Sequence, residues 1–150
     1  MGEVYGGSIM KRTGSAIWQG DLKTGKGSVS TDSGVLSQTP YSFTTRFENG
    51  KGTNPEELVA AAHAGCFSMA LSAQLGEAGL TPERLETTAT VTFEKVEAGW
   101  TVTNVSLNVR GKVPKADEAA WNKATQAAKT GCPISRLLNT TITMDAKLER

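Results

Sequence analysis

One uncharged, alanine-rich stretch in the middle of the chain constrains the fold more than any other feature. No Asp, Glu, Lys or Arg occurs between Leu58 and Gly76. Just before this stretch, Asn54 suits a helix N-cap and Pro55 suits the first helical position. The stretch therefore predicts one long helix over residues 53–79 that is apolar almost all round, and such a helix is buried on every side.

A transmembrane span is the competing interpretation of this stretch. A span needs about 20 mostly strongly apolar residues. His63, Ser68, Ser72 and Gln74 interrupt the stretch, and its commonest residue is Ala rather than Leu or Ile. Small side chains instead favour close packing by other elements, and a second copy of the chain is one candidate for such an element.

Composition limits the class of protein. The chain has 150 residues, which suits one domain with its own core. Its 16 Lys and Arg residues nearly balance its 15 Asp and Glu residues, so neither a nucleic acid nor a membrane is expected as a partner. Residues 1–12 contain no apolar signal segment, which predicts a cytoplasmic protein. Two cysteines in that compartment favour catalytic or redox roles over structural disulfides.

The segments around the long helix predict an α+β fold. Residues 1–12 predict a flexible N-terminal arm, and residues 13–150 predict a single domain. The clearest β signal is a hairpin of residues 85–96 and 100–113. We expect the strands to form antiparallel sheets. The other predicted elements are strands at 15–18, 23–31, 41–47 and 141–149, and helices at 116–131 and 132–138.

The predicted strand at residues 41–47 has the sequence YSFTTRF, in which aromatic and polar residues alternate. This alternation is typical of a strand with one buried face. Arg46 falls on the polar side, where the ordinary interpretation is a solvated strand position.

The two cysteines differ in their local surroundings. Cys132 stands directly before Pro133, at the start of a predicted helix, where a helix N-terminus lowers the pKa of a thiol. Cys66 lies in the middle of the long helix, so a reactive thiolate there needs a cation from elsewhere. The chain has no CxxC motif, which excludes a thioredoxin-type centre and a zinc ribbon. By itself, Cys66 is typical of a small buried hydrophobic residue.

The single histidine of the chain allows further interpretations. His63 precedes Cys66 by three residues, so the two share a helix face. They could form the nucleophile and base of an acyl-transfer enzyme, or part of a metal site with Cys132. A lone His in a helix is more typical of a packed or hydrogen-bonded residue. Glu56 is typical of the acids found at a helix start.

Three longer stretches resemble the OsmC branch of the OsmC/Ohr family, which comprises osmotically inducible protein C and the organic hydroperoxide resistance proteins. The stretches are GKGSVSTDSGVLSQTPYSFTTRFENGKG, TNPEELVAAAHAGCFSMAL and GCPIS. They are long and gapless, and the resemblance extends from about Ser15 to the C-terminus.

The resemblance implies a thiol peroxidase with an OsmC-like fold and an intertwined homodimer with active sites at the interface. Proteins of this family reduce organic hydroperoxides, and the OsmC branch also reduces hydrogen peroxide. The resemblance implies that Cys66 is the peroxidatic cysteine and Cys132 the resolving cysteine. It further implies that Arg46 holds the peroxidatic thiolate and that Glu56 pairs with Arg46.

The implied reaction needs no metal, haem or other cofactor. A Cys66 thiolate attacks the peroxide and releases an alcohol, which leaves a sulfenic acid that condenses with the Cys132 thiol. An external dithiol then reduces the disulfide, and the family resemblance suggests a dithiol of the lipoyl type. Two alternatives stay open: a non-catalytic small-molecule binding protein of the same fold, and a Cys–His acyl-transfer enzyme.

The spacing of Glu56 and Cys66 bears on where the active site is assembled. The two residues are ten positions apart on the predicted helix, which corresponds to about 15 Å along its axis. A single straight helix cannot bring Glu56 to its own Cys66. Either the helix breaks near residues 60–64, or the Glu56 near Cys66 belongs to a second chain related by a two-fold axis. The Ala-rich surface favours the second chain.

Overall fold

The computed structural model describes residues 9–149 of the chain. Residues 1–8 of the predicted N-terminal arm, and Arg150, lie outside the described residues. Arm residues 9–12 have no regular secondary structure and are exposed. The described chain divides into two compact units, with the division between Asn54 and Pro55. The single domain over residues 13–150 stays a prediction.

The first unit contains a three-stranded antiparallel sheet and a short helix. The strands β1 (Gly14–Gln19), β2 (Lys26–Thr31) and β3 (Thr39–Tyr41) pair in the order β1-β2-β3, and both pairs are antiparallel, as predicted. Gly20 lies in the turn after β1 with φ 98°, a left-handed conformation that favours glycine. This glycine therefore allows the chain to reverse between β1 and β2.

The short helix α1 (Phe43–Phe47) shows that the predicted strand over residues 41–47 is wrong beyond β3. The Ser42 hydroxyl accepts a hydrogen bond from the N–H of Thr45 at 3.4 Å. In return, the Thr45 hydroxyl accepts one from the N–H of Ser42 at 2.8 Å. This capping box satisfies two backbone donors locally and so favours a helix start over continued strand pairing.

The aromatic residues of α1 explain why the alternation was misleading. Phe43 and Phe47 are four residues apart, a spacing that also places two side chains on one helix face. Their ring centroids are 4.9 Å apart. Arg46 lies in the last turn of α1 with its guanidinium carbon 5.3 Å from the centre of the Phe47 ring. Its position is thus helical rather than on the polar side of a strand.

The second unit contains the other predicted helices and strands. The long helix ends at Glu77, two residues before its predicted end, because Gly79 adopts φ 77° and the N–H of Leu80 donates to the carbonyl of Leu75 at 2.9 Å. The elements of this unit, in chain order, are α2 (Pro55–Glu77), β4 (Arg84–Val96), β5 (Gly99–Lys112), α3 (Glu118–Gly131), α4 (Pro133–Leu137) and β6 (Thr141–Glu149).

The sheet of the second unit is mixed rather than antiparallel. The hairpin strands β4 and β5 are antiparallel, as predicted, but β6 pairs parallel to β5. The register joins Asn104 to Thr141 and Lys112 to Glu149. The prediction of an antiparallel sheet is therefore wrong for β6. The reason is that α3 and α4 form a crossover connection. This connection carries the chain from the end of β5 back to the residues of β5 near Asn104, where β6 begins to pair.

Within the chain, α2 is buried along one stripe only. The stripe consists of His63, Phe67, Leu71 and Leu75, which recur every fourth residue and are 0% exposed. By contrast, Met69 is 79% exposed. The prediction that this helix is buried on every side is therefore wrong for a single chain. The sheet and the helices α3 and α4 pack against one stripe, and the small side chains elsewhere on α2 stay partly or fully exposed.

By length and composition alone, α2 could also cross a membrane. Core helices of soluble proteins have the same character. Here three residues of the stripe, Phe67, Leu71 and Leu75, belong to a core that also contains Leu107 of β5 and Trp121 of α3. The apolar sequence of α2 is thus used, at least along this stripe, for packing within the protein.

Candidate active site

Both cysteines of the chain lie together in the second unit. Cys66 lies near the middle of α2, and Cys132 lies between α3 and α4. Both are free thiols, and their side chains are hydrogen-bonded to each other. Cys132 is fully buried, whereas Cys66 is partly exposed. The fold therefore brings the two predicted redox cysteines into direct contact.

The local sequence around Cys132 fixes the position of its thiol. The N–H of Cys132 donates to the carbonyl of Ala128 at 3.0 Å, which ends α3. Its sulfur accepts a hydrogen bond from the N–H of Ser135 at 3.4 Å, so Cys132 is also the N-cap of α4. Pro133 occupies the first turn of α4, where its missing N–H costs no helical hydrogen bond. The predicted N-cap position of Cys132 is confirmed.

The surroundings shift the pKa values of the two thiols in opposite directions. Burial raises the pKa of Cys132. Hydrogen bonds that its thiolate can accept from the hydroxyl and N–H of Ser135, from Cys66 and from the N–H of Ile134 outweigh burial and lower that pKa overall. For Cys66, burial and the neighbouring Cys132 raise the pKa, and the hydrogen bond from Ile134 only partly opposes them. Cys66 therefore has a raised pKa, which agrees with the expectation that its thiolate needs a cation.

His63 is linked to the cysteines through Ser135, a residue that the sequence pattern did not indicate. The Nε2 atom of His63 is 2.7 Å from the hydroxyl oxygen of Ser135. That same hydroxyl accepts a hydrogen bond from the Cys132 thiol at 3.5 Å. The interpretation of His63 as a hydrogen-bonded residue is confirmed, although its partner is 72 residues away. The sequence signal that could have indicated Ser135 is its position three residues after the N-capping Cys132, where it can contact the cysteine sulfur.

The described residues do not support the alternative of a metal site at His63, Cys66 and Cys132. Within residues 9–149, no group of three or more His, Cys, Asp or Glu side chains is arranged to hold a metal ion. Burial lowers the pKa of His63, which favours its neutral form. The hydrogen bond between Nε2 of His63 and the Ser135 hydroxyl also gives this nitrogen a partner other than the Cys66 thiol.

The structure places the two predicted charged residues on different elements. Arg46 lies in α1 of the first unit and lines a cavity of about 260 Å³ together with three aromatic residues, Trp18, Tyr41 and Phe43. Glu56 lies in the first turn of α2 in the second unit. Because α2 runs without interruption to Glu77, Glu56 is about 15 Å along the axis from Cys66 of the same helix. The alternative of a break near residues 60–64 is excluded.

Comparison with known proteins identifies the family. Residues 48–147 match the family profile described as "OsmC-like protein". The chain belongs to the OsmC family. It is 54% identical over 138 residues to Peroxiredoxin OsmC of Escherichia coli (strain K12), an alignment that covers 92% of this chain and 96% of the relative. Peroxiredoxin OsmC of Shigella flexneri matches to the same extent.

Solved structures of more distant OsmC-like proteins share the fold. The organic hydroperoxide resistance protein OhrB of Bacillus subtilis superposes with a TM-score of 0.64 at 23% identity, covering 91% of this chain and 98% of that one. An OsmC-like protein from Mycoplasma pneumoniae gives a TM-score of 0.75 at 14% identity, covering 95% and 100%. These similarities confirm the predicted α+β, OsmC-like fold.

Proposed function

We propose that this OsmC protein is a cysteine-based peroxidase that reduces organic hydroperoxides and hydrogen peroxide with electrons from a dithiol. The observation that carries the proposal is the hydrogen-bonded pair of free thiols at Cys66 and Cys132. Two adjacent thiols can convert to a disulfide, which supplies the two electrons that one peroxide molecule takes up. The 54% identity to proteins named Peroxiredoxin OsmC supports the same activity.

Exposure supports different roles for the two cysteines. Cys132 is 0% exposed, so a dissolved peroxide cannot reach its sulfur without a structural change. Cys66 is partly exposed, and the apolar side chains packed around it suit the organic group of a hydroperoxide. Cys66 is therefore the proposed peroxidatic cysteine, and Cys132 is the proposed resolving cysteine.

The proposed reaction has three steps. The Cys66 thiolate attacks the terminal peroxide oxygen, the O–O bond breaks, and the departing alkoxide takes up a proton to give an alcohol. The Cys66 sulfenic acid then reacts with Cys132, with formation of an S–S bond, cleavage of the S–O bond and release of water. Finally, an external dithiol reduces the disulfide by thiol–disulfide exchange.

We propose that this external dithiol is of the lipoyl type. We also propose that the protein is located in the cytoplasm.

Arg46 and Glu56 are proposed to activate Cys66. The raised pKa of Cys66 leaves little thiolate at neutral pH, and an opposite charge within about 4–6 Å would favour the thiolate. Arginine stays protonated and can bind a carboxylate with one edge of its planar group while another N–H faces the sulfur. In this proposal, Glu56 orients the guanidinium of Arg46, and Arg46 stabilises the thiolate.

A homodimer is the proposed setting for these interactions. An uninterrupted α2 keeps Glu56 away from its own Cys66, so the Glu56 that serves Cys66 is proposed to come from a second copy. The exposed part of α2, which includes the 79% exposed Met69, offers a surface for that copy. In the first unit, Ile17 of β1 is 62% exposed and would also gain from burial in a dimer.

A peroxidase assay tests the proposal directly. Purified protein is mixed with cumene hydroperoxide and an excess of a dithiol, and the loss of peroxide is followed. We expect turnover by the wild type and none by Cys66→Ser. Ser68→Ala is the matched control, because Ser68 lies on the same helix but bonds to Thr87 of β4. Absence of peroxide loss with the wild type would instead favour the small-molecule binding protein.

A further inference from the structure

A chain of hydrogen bonds leads from the Cys132 thiol into the interior of the second unit. The Cys132 thiol donates to the hydroxyl oxygen of Ser135 at 3.5 Å, and this oxygen is 2.7 Å from Nε2 of His63. Cys132 and His63 are 0% exposed, and Ser135 is 7% exposed. The three side chains therefore form a buried path, closed to bulk water, that ends on an ionisable ring.

The far side of the His63 ring lacks a hydrogen bond. Its Nδ1 atom is buried and has no hydrogen-bond partner among residues 9–149. In most histidines, the partner of one ring nitrogen decides which nitrogen carries the proton. No such partner fixes the tautomer here, so Nε2 can serve as an acceptor or as a donor towards Ser135. A hydroxyl can likewise accept one hydrogen bond while it donates another.

This arrangement answers a need of the resolving step. The attacking species in disulfide formation is a thiolate, yet Cys132 has no exposed surface from which water could remove its proton. The Ser135 hydroxyl is the side-chain oxygen that contacts the Cys132 thiol, and His63 is the base next along the path.

We propose that Ser135 and His63 form a proton relay that deprotonates Cys132 as it attacks the oxidised Cys66. The Cys132 proton moves to the Ser135 oxygen while the Ser135 hydroxyl proton moves to Nε2 of His63. The S–S bond forms, the S–O bond of the sulfenic acid breaks, and the leaving hydroxide takes a proton from solvent at the partly exposed Cys66. His63 keeps this proton until the external dithiol reduces the disulfide, when the proton returns through Ser135 to the Cys132 thiolate. Over the whole cycle, the oxygen of the sulfenic acid leaves as water and both thiols are restored.

The relay rests on the proposed function, since it serves the resolving step. Ser135 contacts the reacting sulfur and is a catalytic residue in this scheme. His63 acts through Ser135 and is a positioning residue. Neither residue is needed for the attack of Cys66 on the peroxide. The relay therefore predicts that changes at His63 or Ser135 slow the second step and leave the first unchanged.

The test measures the two steps separately, without reductant. One equivalent of cumene hydroperoxide is added, peroxide loss reports the first step, and disulfide formation is followed by non-reducing mass spectrometry of quenched samples. For Ser135→Ala we expect an unchanged first step and roughly 10²-fold slower disulfide formation, the lower end of general acid–base effects. Dimedone should trap more Cys66 sulfenic acid in this variant than in the wild type.

Three further variants separate a relay from a structural role. Ser135→Thr keeps the hydroxyl and should restore most of the rate. His63→Gln keeps a side chain that can hydrogen-bond but cannot accept the proton, so it should slow the second step even if Ser135→Ala folds poorly. Thr125→Val removes another buried hydroxyl, which bonds to the carbonyl of Asn122 in α3, and should form the disulfide at the wild-type rate.

The outcomes distinguish the relay from the underlying function. If the wild type forms the Cys66–Cys132 disulfide and His63→Gln forms it equally fast, the relay is wrong while the peroxidase proposal stands. Equal slowing of both steps in His63→Gln and Ser135→Thr would also overturn the relay, because it indicates a packing defect. If the wild type itself forms no such disulfide, the proposed function fails, and the relay fails with it.

Discussion

The Cys66 thiol in the middle of α2 is hydrogen-bonded to the Cys132 thiol at the start of α4. The contact is made between helices that are separated in the sequence by the whole β4–β5 hairpin and α3. The fold therefore holds the two thiols next to each other before any oxidation takes place.

We predict that peroxide converts these thiols into a disulfide within one chain. Treatment with one equivalent of cumene hydroperoxide, followed by non-reducing peptide mapping, should yield a peptide that links Cys66 to Cys132. In Cys132→Ser, the Cys66 sulfenic acid has no resolving thiol, so excess peroxide should oxidise it further and inactivate the enzyme. A disulfide between chains, or irreversible oxidation of Cys66 while Cys132 is present, would contradict the resolving role.

Removal of the Arg46 charge should slow the reaction of Cys66 with peroxide. Arg46→Met should lower the single-turnover rate at pH 7 by at least about tenfold, since a pKa rise of one unit removes roughly nine-tenths of a small thiolate fraction. The loss should shrink at high pH, where the thiolate forms without help. The control is Arg84→Met, because Arg84 has a 70% exposed side chain and pairs with Glu86 on the sheet. Equal rates for both variants would exclude the proposed role of Arg46.

Mixed dimers should reveal whether the active site needs two chains. Cys66→Ser and Glu56→Ala should each be inactive or strongly impaired alone. When the two variants are unfolded and refolded together, a mixed dimer contains one site with an intact Cys66 and an intact partner Glu56, so about half of the wild-type activity per mixed dimer should return. Isolation of mixed dimers by two different affinity tags, followed by the peroxide assay, measures this. Inactive mixed dimers would place the whole site in one chain.

The buried His63 should make stability depend on pH. Burial lowers its pKa below the ordinary value of 6.5. The unfolded chain then binds this proton more readily than the folded chain, so the free energy of unfolding falls as the pH drops below about 6.5 and continues to fall down to the lowered pKa. Urea unfolding at a series of pH values should show a steeper loss in the wild type than in His63→Gln. Parallel curves would mean that His63 does not titrate differently on folding.

The sequence predicted most elements because their signals are local. Three segments contain their own start or stop residues: α2 with its uncharged middle, the alternating β4–β5 hairpin and the Cys-Pro start of α4. The strand prediction for residues 41–47 was wrong because two aromatic residues four positions apart can share either a strand face or a helix face. Only the reciprocal hydrogen bonds of Ser42 and Thr45 decide between them.

Relationships between distant segments were harder to predict. Nothing in residues 141–149 indicates whether β6 runs parallel or antiparallel to its neighbour, since its alternating pattern is the same in both cases. The bond between His63 and Ser135 likewise depends on how α4 packs against α2. The opposite pKa shifts of the cysteines follow from burial and from the hydrogen bonds of Ser135. Only the lowering of the Cys132 pKa by its position at a helix start was predictable from the sequence.

The parallel pairing of β6 has a consequence for the order of folding. The β4–β5 hairpin closes through a tight turn at Gly99, so its strands can pair early. Pairing of β6 with β5 must bring together segments separated by two helices, and this loop closure has a larger entropic cost. Because Cys132 lies within that crossover, we expect the two thiols to reach their final contact late in folding. Before β6 pairs with β5, the Cys66 and Cys132 thiols should be apart for most of the time.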